Sequence, residues 1–138
     1  MSSTYISTEL RKRVFQRAKG ACEYCLVLEQ FSLSSFAIDH IIAEKHGGQT
    51  QSENLALSCP SCNLYKGSDI ASIDPETGSL ARFYNPRRDE WAEHFLLTGG
   101  TLIPLSAIGR VTTRILRLNR VERVEERRLL SDIGLLRG

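Results

Sequence analysis

Two Cys-x-x-Cys pairs, Cys22/Cys25 and Cys59/Cys62, bracket the dipeptide Asp39-His40, and Asn63 follows directly on the last cysteine. Four thiolates in paired two-residue spacing suit tetrahedral Zn²⁺, because each pair folds into a tight knuckle that fills two corners of the tetrahedron. An adjacent carboxylate, imidazole and carboxamide suit a different task, a hard divalent cation such as Mg²⁺ beside a proton acceptor. Histidine has an unperturbed pKa of about 6.5, so a proton-accepting fraction exists at physiological pH. A carboxylate and an amide oxygen hold a cation that keeps positions open for phosphate oxygens. These are the parts that phosphodiester hydrolysis requires: water activated on one side of phosphorus, and charge neutralised at the leaving oxygen on the other. Adjacent residues on a strand point to opposite faces, so Asp39 and His40 divide these roles rather than chelating one ion together.

The elements that must position these groups can be read around them. Thr8 to Lys19 has a helical period, with Ser7 or Thr8 as N-cap, Leu10, Val14, Phe15 and Ala18 recurring, and Gly20 as its end. After the first knuckle, the serine-rich linker Ser32-Leu33-Ser34-Ser35 leads into the apolar, β-branched run Phe36 to Ile42, which predicts a strand. Ile38 and His40 fall on one of its faces and Asp39 on the other. Lys45 to Glu53, with Gly47-Gly48 inside it, predicts an exposed loop, and Asn54 to Ser58 a second short strand into Cys59. Pro60 suits the first turn of a helix carrying Cys62, Asn63 and Lys66, which Gly67 would stop.

Length and composition fit one soluble α+β domain spanning residues 1–138, since 138 residues with 41% apolar content suffice for a single core. No apolar run approaches the roughly 20 residues of a membrane span, and the polar Met1 to Ser7 lacks a signal-peptide core, so a cytoplasmic protein with no membrane partner is expected. In that reducing compartment the cysteines are read as a zinc site in preference to disulfides. The net charge of +2 conceals clusters of cations: Arg11, Lys12, Arg13, Arg17 and Lys19, then Arg82, Arg87 and Arg88, then Arg110, Arg114, Arg117 and Arg120. Such clusters suit a phosphate backbone, although any one alone also reads as a solvated helix face.

Strand, loop, strand and helix, with Asp-His on the first strand and Asn on the helix, resembles the HNH endonuclease family, the ββα-metal nucleases. The residues that carry the resemblance are Cys22-Glu23-Tyr24-Cys25, Asp39-His40-Ile41-Ile42, Gly47-Gly48, Asn54-Leu55 and Cys59-Pro60-Ser61-Cys62-Asn63 with Lys66. This motif core, about residues 22–67, covers a third of the chain. The resemblance implies His40 as general base, Asp39 and Asn63 as holders of one catalytic divalent ion, usually Mg²⁺, and Asn54 as the residue that orients the loop bearing the base. It implies a structural zinc on the four cysteines and DNA as partner, in duplex form, with 5′-phosphate and 3′-hydroxyl products. Asn63 stands where many members have His, the HNN variant, and Ala43 stands where many have Pro.

His46, beside the glycine loop, and His94 are read as non-catalytic, His94 within a helical run from Asp89 to Leu97 whose core residues are Trp91, Phe95 and Leu96. Lys66 is read either as a DNA contact or as a surface lysine. A helical C-terminal extension, about residues 88–138, is expected to contain turns at Thr98 to Thr101 and two helices from about Thr112, the last from Arg120 to Ile133. That last helix would dock on the core or pair subunits in a homodimer. The alternative to a nuclease is a zinc-ribbon-like nucleic-acid-binding module without catalysis, which explains the cysteines and arginines but leaves Asp39, His40, Asn54 and Asn63 without a role.

Overall fold

A computed structural model of the chain describes residues 4–136; residues 1–3 and 137–138, which the sequence reading includes in the domain, lie outside the described residues. The elements run α1 (Thr8–Ala18), β1 (Ala37–His40), β2 (Leu55–Ser58), α2 (Pro60–Lys66), β3 (Ala71–Ile73), β4 (Leu80–Arg82), α3 (Trp91–His94), β5 (Phe95–Thr98), β6 (Thr101–Pro104), α4 (Ala107–Ile115) and α5 (Val121–Asp132). The class is α+β. The strands form three antiparallel hairpins, β1–β2, β3–β4 and β5–β6. One cluster of buried side chains reaches from Ile6 and Val14 through Leu55 and Leu57 to Phe95, Leu102, Val111 and Leu118. Among the described residues no helix is long and apolar enough to cross a membrane.

Local chemistry accounts for the element ends. Ser7 caps α1 by accepting the Leu10 N–H at 3.2 Å, and the helix stops where Lys19 turns left-handed, one residue before Gly20. Val14 and Ala18 are buried on the face expected, while Phe15 remains partly exposed. The β1–β2 register pairs Ile38 with Leu57, Asp39 with Ala56 and His40 with Leu55. The first strand is shorter than the run Phe36 to Ile42, because Ile41 N–H bonds Asn54 O and Ile42 is then held by the Asn54 side chain. Pro60 occupies the first turn of α2, with Cys59 as its N-cap.

The C-terminal half departs further from the reading of the sequence. The expected helix from Asp89 to Leu97 is one turn, Trp91–His94, followed by strand β5, so the extension is not wholly helical. Along β5 burial alternates, with Phe95 inside and Leu96 exposed, which is a period of two rather than 3.6. Gly99 and Gly100 close the hairpin, and a Cβ on Gly100 would lie 2.2 Å from the Val124 carbonyl oxygen, so α5 sits directly on this turn. Helix α4 starts five residues before Thr112, because Ser106 caps it by accepting the Gly109 N–H. Helix α5 docks on the core through Arg127 and Leu130, with Val121 and Leu129 exposed along it and Ile133 exposed just past its end.

Candidate active site and metal centre

The four cysteine sulfurs all lie within 4.8 Å of one another and are fully enclosed. Cys25 Sγ and Cys59 Sγ are 3.6 Å apart, against about 3.8 Å for the edge of a tetrahedron built on ~2.3 Å zinc–sulfur bonds. In each pair the second cysteine donates its backbone N–H to the sulfur of the first, Cys25 to Cys22 at 3.5 Å and Cys62 to Cys59 at 3.4 Å. Leu26 takes a left-handed φ of 74° to finish the first knuckle, and its N–H bonds Cys22 O. Glu23 ties that knuckle to the sheet: its N–H donates to Leu57 O, and its carboxylate accepts the Leu57 N–H. Hydrogen bonds from the other three sulfurs hold Cys59 far below the ordinary thiol range, while burial pushes Cys22 up. Four sulfurs this close cannot all be anionic without a cation among them, and the donor set fits zinc.

Two arginines of α5 close over this cluster. Arg123 donates to Cys59 Sγ at 3.6 Å and to Ser61 Oγ at 3.4 Å. Burial works against its charge, but the Cys25 and Cys59 thiols hold its guanidinium above the ordinary range. Arg127, fully enclosed, donates to the carbonyls of Gly100 at 2.7 Å, Cys25 at 3.2 Å and Leu118 at 2.7 Å, and to Asn119 Oδ1 at 3.1 Å. Sequence reasoning placed both on an amphipathic helix without assigning them to the metal centre; only their spacing of four, which puts them on one helix face, hints at it.

Asp39 and His40, adjacent on β1, are both buried. His40 Nε2 is 2.8 Å from Thr50 Oγ1 and 4.0 Å from Glu44 Oε1, and Nδ1 has no hydrogen bond to a described residue. Asp39 Oδ2 accepts from the Tyr24 hydroxyl at 2.7 Å and lies 3.1 Å from the Lys66 ammonium. Burial pushes the Asp39 carboxyl above its usual range against the pull of Lys66 and Tyr24. Lys66, 1% exposed, also donates to the carbonyls of His40 at 3.2 Å and Ile41 at 3.0 Å. It is therefore neither a surface lysine nor one free to meet DNA. It bolts α2 to β1, and Asn63 stands three residues before it on the same short helix. Asn63 is half-buried and its side chain makes no hydrogen bond to a described residue.

Asn54 binds three backbone groups of the intervening loop. Its Oδ1 accepts the Ile42 N–H at 2.9 Å, and its Nδ2 donates to Ile42 O at 3.0 Å and Gln49 O at 2.9 Å. Gly48 lets the chain pass beneath this clamp, since a Cβ there would fall 1.7 Å from the Ile42 oxygen. Asn54 thus fixes the loop that carries Thr50 to the His40 imidazole. Thr50 and Glu44 were not singled out from the sequence, and Tyr24 was named only as part of the first knuckle, without a role at Asp39. His46 is exposed on the loop, and His94 bonds Ser106 Oγ through Nδ1 at 2.6 Å, away from this cluster.

Several cations read as a backbone-binding surface are engaged within the protein. Arg17 donates to Ser52 and to Leu55 O, Arg82 grips Asp89 with two bonds, Arg87 pairs with Glu23, and Arg110 grips Asp74 with two. Arg11, Lys12, Arg13, Lys19, Arg88, Arg114 and Arg117 remain exposed.

Compared with models of known families, residues 22–69 match the HNH endonuclease model. That span opens on Cys22 and takes in all four cysteines, Asp39, His40, Asn54, Asn63 and Lys66. No curated protein and no solved structure matches the chain.

Proposed function

Proceeding from an HNH endonuclease domain at residues 22–69, we propose that the protein is a divalent-metal-dependent endonuclease that hydrolyses phosphodiester bonds of duplex DNA, with 5′-phosphate and 3′-hydroxyl products. The observation that supports this reading is the adjacency of Asp39 and His40 on β1, tied to α2 by Lys66, with the intervening loop pinned by Asn54. His40 is the base that takes a proton from the attacking water, and Thr50 holds one of its ring nitrogens. Asp39 and Asn63 are the residues that would hold the catalytic cation. One carboxylate and one carboxamide suit Mg²⁺, which is commonly bound by one or two carboxylates together with substrate phosphates. Such a cation neutralises charge on the leaving oxygen. Zinc on the cysteines has a structural role, with every protein donor already a thiolate.

The test is cleavage of supercoiled plasmid by wild type and His40→Ala, with Mg²⁺ added or withheld. Mg²⁺-dependent nicking should be lost in the variant, by at least about a hundredfold, the usual contribution of a general base, while its zinc content stays at the wild-type level. A variant that cuts at the wild-type rate would remove His40 from the mechanism. One observation favours a second reading, a zinc-bearing nucleic-acid-binding module without catalysis: the Lys66 ammonium already supplies Asp39 with a cationic partner. Binding of DNA without cleavage by either protein would select it.

A further inference from the structure

Helix α4 ends in a Schellman turn, with the Leu118 N–H on Thr113 O at 3.0 Å and the Arg117 N–H on Arg114 O at 3.3 Å. The residue in the left-handed position of such a turn is usually glycine, because a Cβ is disfavoured there. Here it is Arg117, at φ 51°. An arginine accepted where the backbone prefers glycine points to a use for its side chain. Its guanidinium carbon lies 4.8 Å from the centre of the Tyr65 ring on α2, and that of Arg120 lies 5.1 Å from the same centre. Two cations therefore converge on one aromatic ring; Arg120, whose side chain is 14% exposed, also bonds the exposed Glu122 carboxylate at 3.0 Å and the Arg117 carbonyl at 3.3 Å. Like charges so placed repel, and an anion between them would relieve the repulsion. An aromatic ring with guanidinium groups around it is a surface suited to nucleic acid, with phosphate held by the arginines.

We propose that Tyr65, Arg117 and Arg120 form a platform that holds a backbone phosphate of duplex DNA, so that the C-terminal extension anchors the substrate which the HNH domain cuts. The proposal rests on the nuclease reading for the identity of the ligand. It also gives the α4–α5 corner a task that the family match, ending at residue 69, does not assign.

The experiment is binding of a fluorescent duplex oligonucleotide, followed by anisotropy over a series of salt concentrations with Mg²⁺ withheld, for wild type, Arg117→Gly, Arg120→Gln and the double variant. Loss of the held phosphate in the double variant should weaken binding about fivefold at ~0.15 M salt and lower the slope of log K against log salt by about 0.9, with each single variant giving a part of both effects. Arg117→Gly should leave the thermal midpoint unchanged or raise it, because glycine relieves the left-handed backbone. Wild-type affinity and slope in the double variant would overturn the platform, as would a wild-type protein that does not bind duplex. A loss of binding accompanied by a lower midpoint in Arg117→Gly would assign Arg117 to the fold and overturn it equally. Wild-type protein that binds with the arginine-dependent slope yet never cuts DNA would refute the nuclease reading and leave the platform standing.

Discussion

Among the described residues two cations, Lys66 and Arg127, are sealed inside this protein, and they are balanced in different ways. Lys66 lies 3.1 Å from the Asp39 carboxylate, and so carries its counter-charge within the polypeptide. Arg127 forms no ion pair with a carboxylate among the described residues; its bonds go to three carbonyls and a carboxamide beside the cysteine cluster. Burial accordingly pulls the Arg127 guanidinium below its ordinary range, with Cys25 and Cys62 opposing. Four thiolates around one Zn²⁺ would carry a net charge of about −2, which Arg123 and Arg127 would offset. Strand β1 and α2 are held by an ion pair that the chain supplies alone, whereas the guanidinium charges of α5 face a cysteine cluster whose charge a bound metal would set. The difference predicts which half of the molecule depends on zinc for its charge balance.

Removing the metal is the largest perturbation of that comparison. Cys59→Ser should abolish stoichiometric zinc and with it the cooperative thermal transition, since binding to a structural site is coupled to folding. The variant loses a ligand, and the charge that justifies Arg123 and Arg127 goes with it. Retention of the wild-type midpoint, with zinc absent by elemental analysis, would show that the cysteine cluster does not need its metal and that Arg127 is balanced by other means.

The next pair of variants separates the two cations. Lys66→Met leaves Asp39 buried without its partner and should cost about 3–5 kcal/mol in denaturant unfolding. Arg127→Met leaves carbonyls without a donor and half of the cluster's charge uncompensated, with a cost on the order of 3 kcal/mol. Stability alone does not distinguish them. Zinc transfer to a chromogenic chelator does, and it should accelerate in Arg127→Met while remaining at the wild-type rate in Lys66→Met. Equal acceleration in both would merge the two regions into one electrostatic unit.

How much of this was legible in the sequence depended on whether the chemistry was local. The cysteine knuckles, the alternation of Asp39 and His40 along β1, and Pro60 at the start of α2 are set by residues within a few positions of one another. Lys66 was noticed but misplaced, because its burial depends on Asp39, 27 residues away, and on carbonyls of the same strand. Arg127 reads as one of several charges on an amphipathic helix until Cys25, 102 residues earlier, is brought beside it. The run from Phe95 to Thr98 has apolar spacing compatible with either period over so short a length, and pairing with β6 decides it for strand. The hairpin β3–β4 escaped detection for a similar reason: three-residue strands carry almost no periodic signal, and Asp74-Pro75-Glu76-Thr77-Gly78 announces only the turn between them. The roles of Asp39, His40 and Asn63 in catalysis are a reading of their placement, which cleavage assays decide.

A separate ion pair, Asp74 with Arg110, sets the scale for effects that belong to neither region. Asp74, buried at the β3–β4 turn, receives two bonds from Arg110 of α4 at 2.8 and 2.9 Å, the Glu76 N–H at 3.2 Å and the Thr77 hydroxyl at 2.9 Å. These donors, Arg110 first, hold its carboxyl well below the usual range. A carboxyl depressed in the folded state is protonated first in the unfolded chain, so its contribution is present above the unfolded value of about 3.9 and is lost as pH falls below it. The midpoint of wild type should therefore decline on acidification below about pH 4, and Asp74→Asn should flatten that decline while lowering the midpoint modestly at neutral pH. Zinc loss also accompanies acid, because thiolates must stay deprotonated to bind it, so zinc release has to be followed across the same titration. An Asp74→Asn protein whose acid limb matches that of wild type at every pH would assign the whole of the acid sensitivity to the metal centre, and the pair at the β3–β4 turn would then be an ornament of the hairpin rather than its anchor to α4.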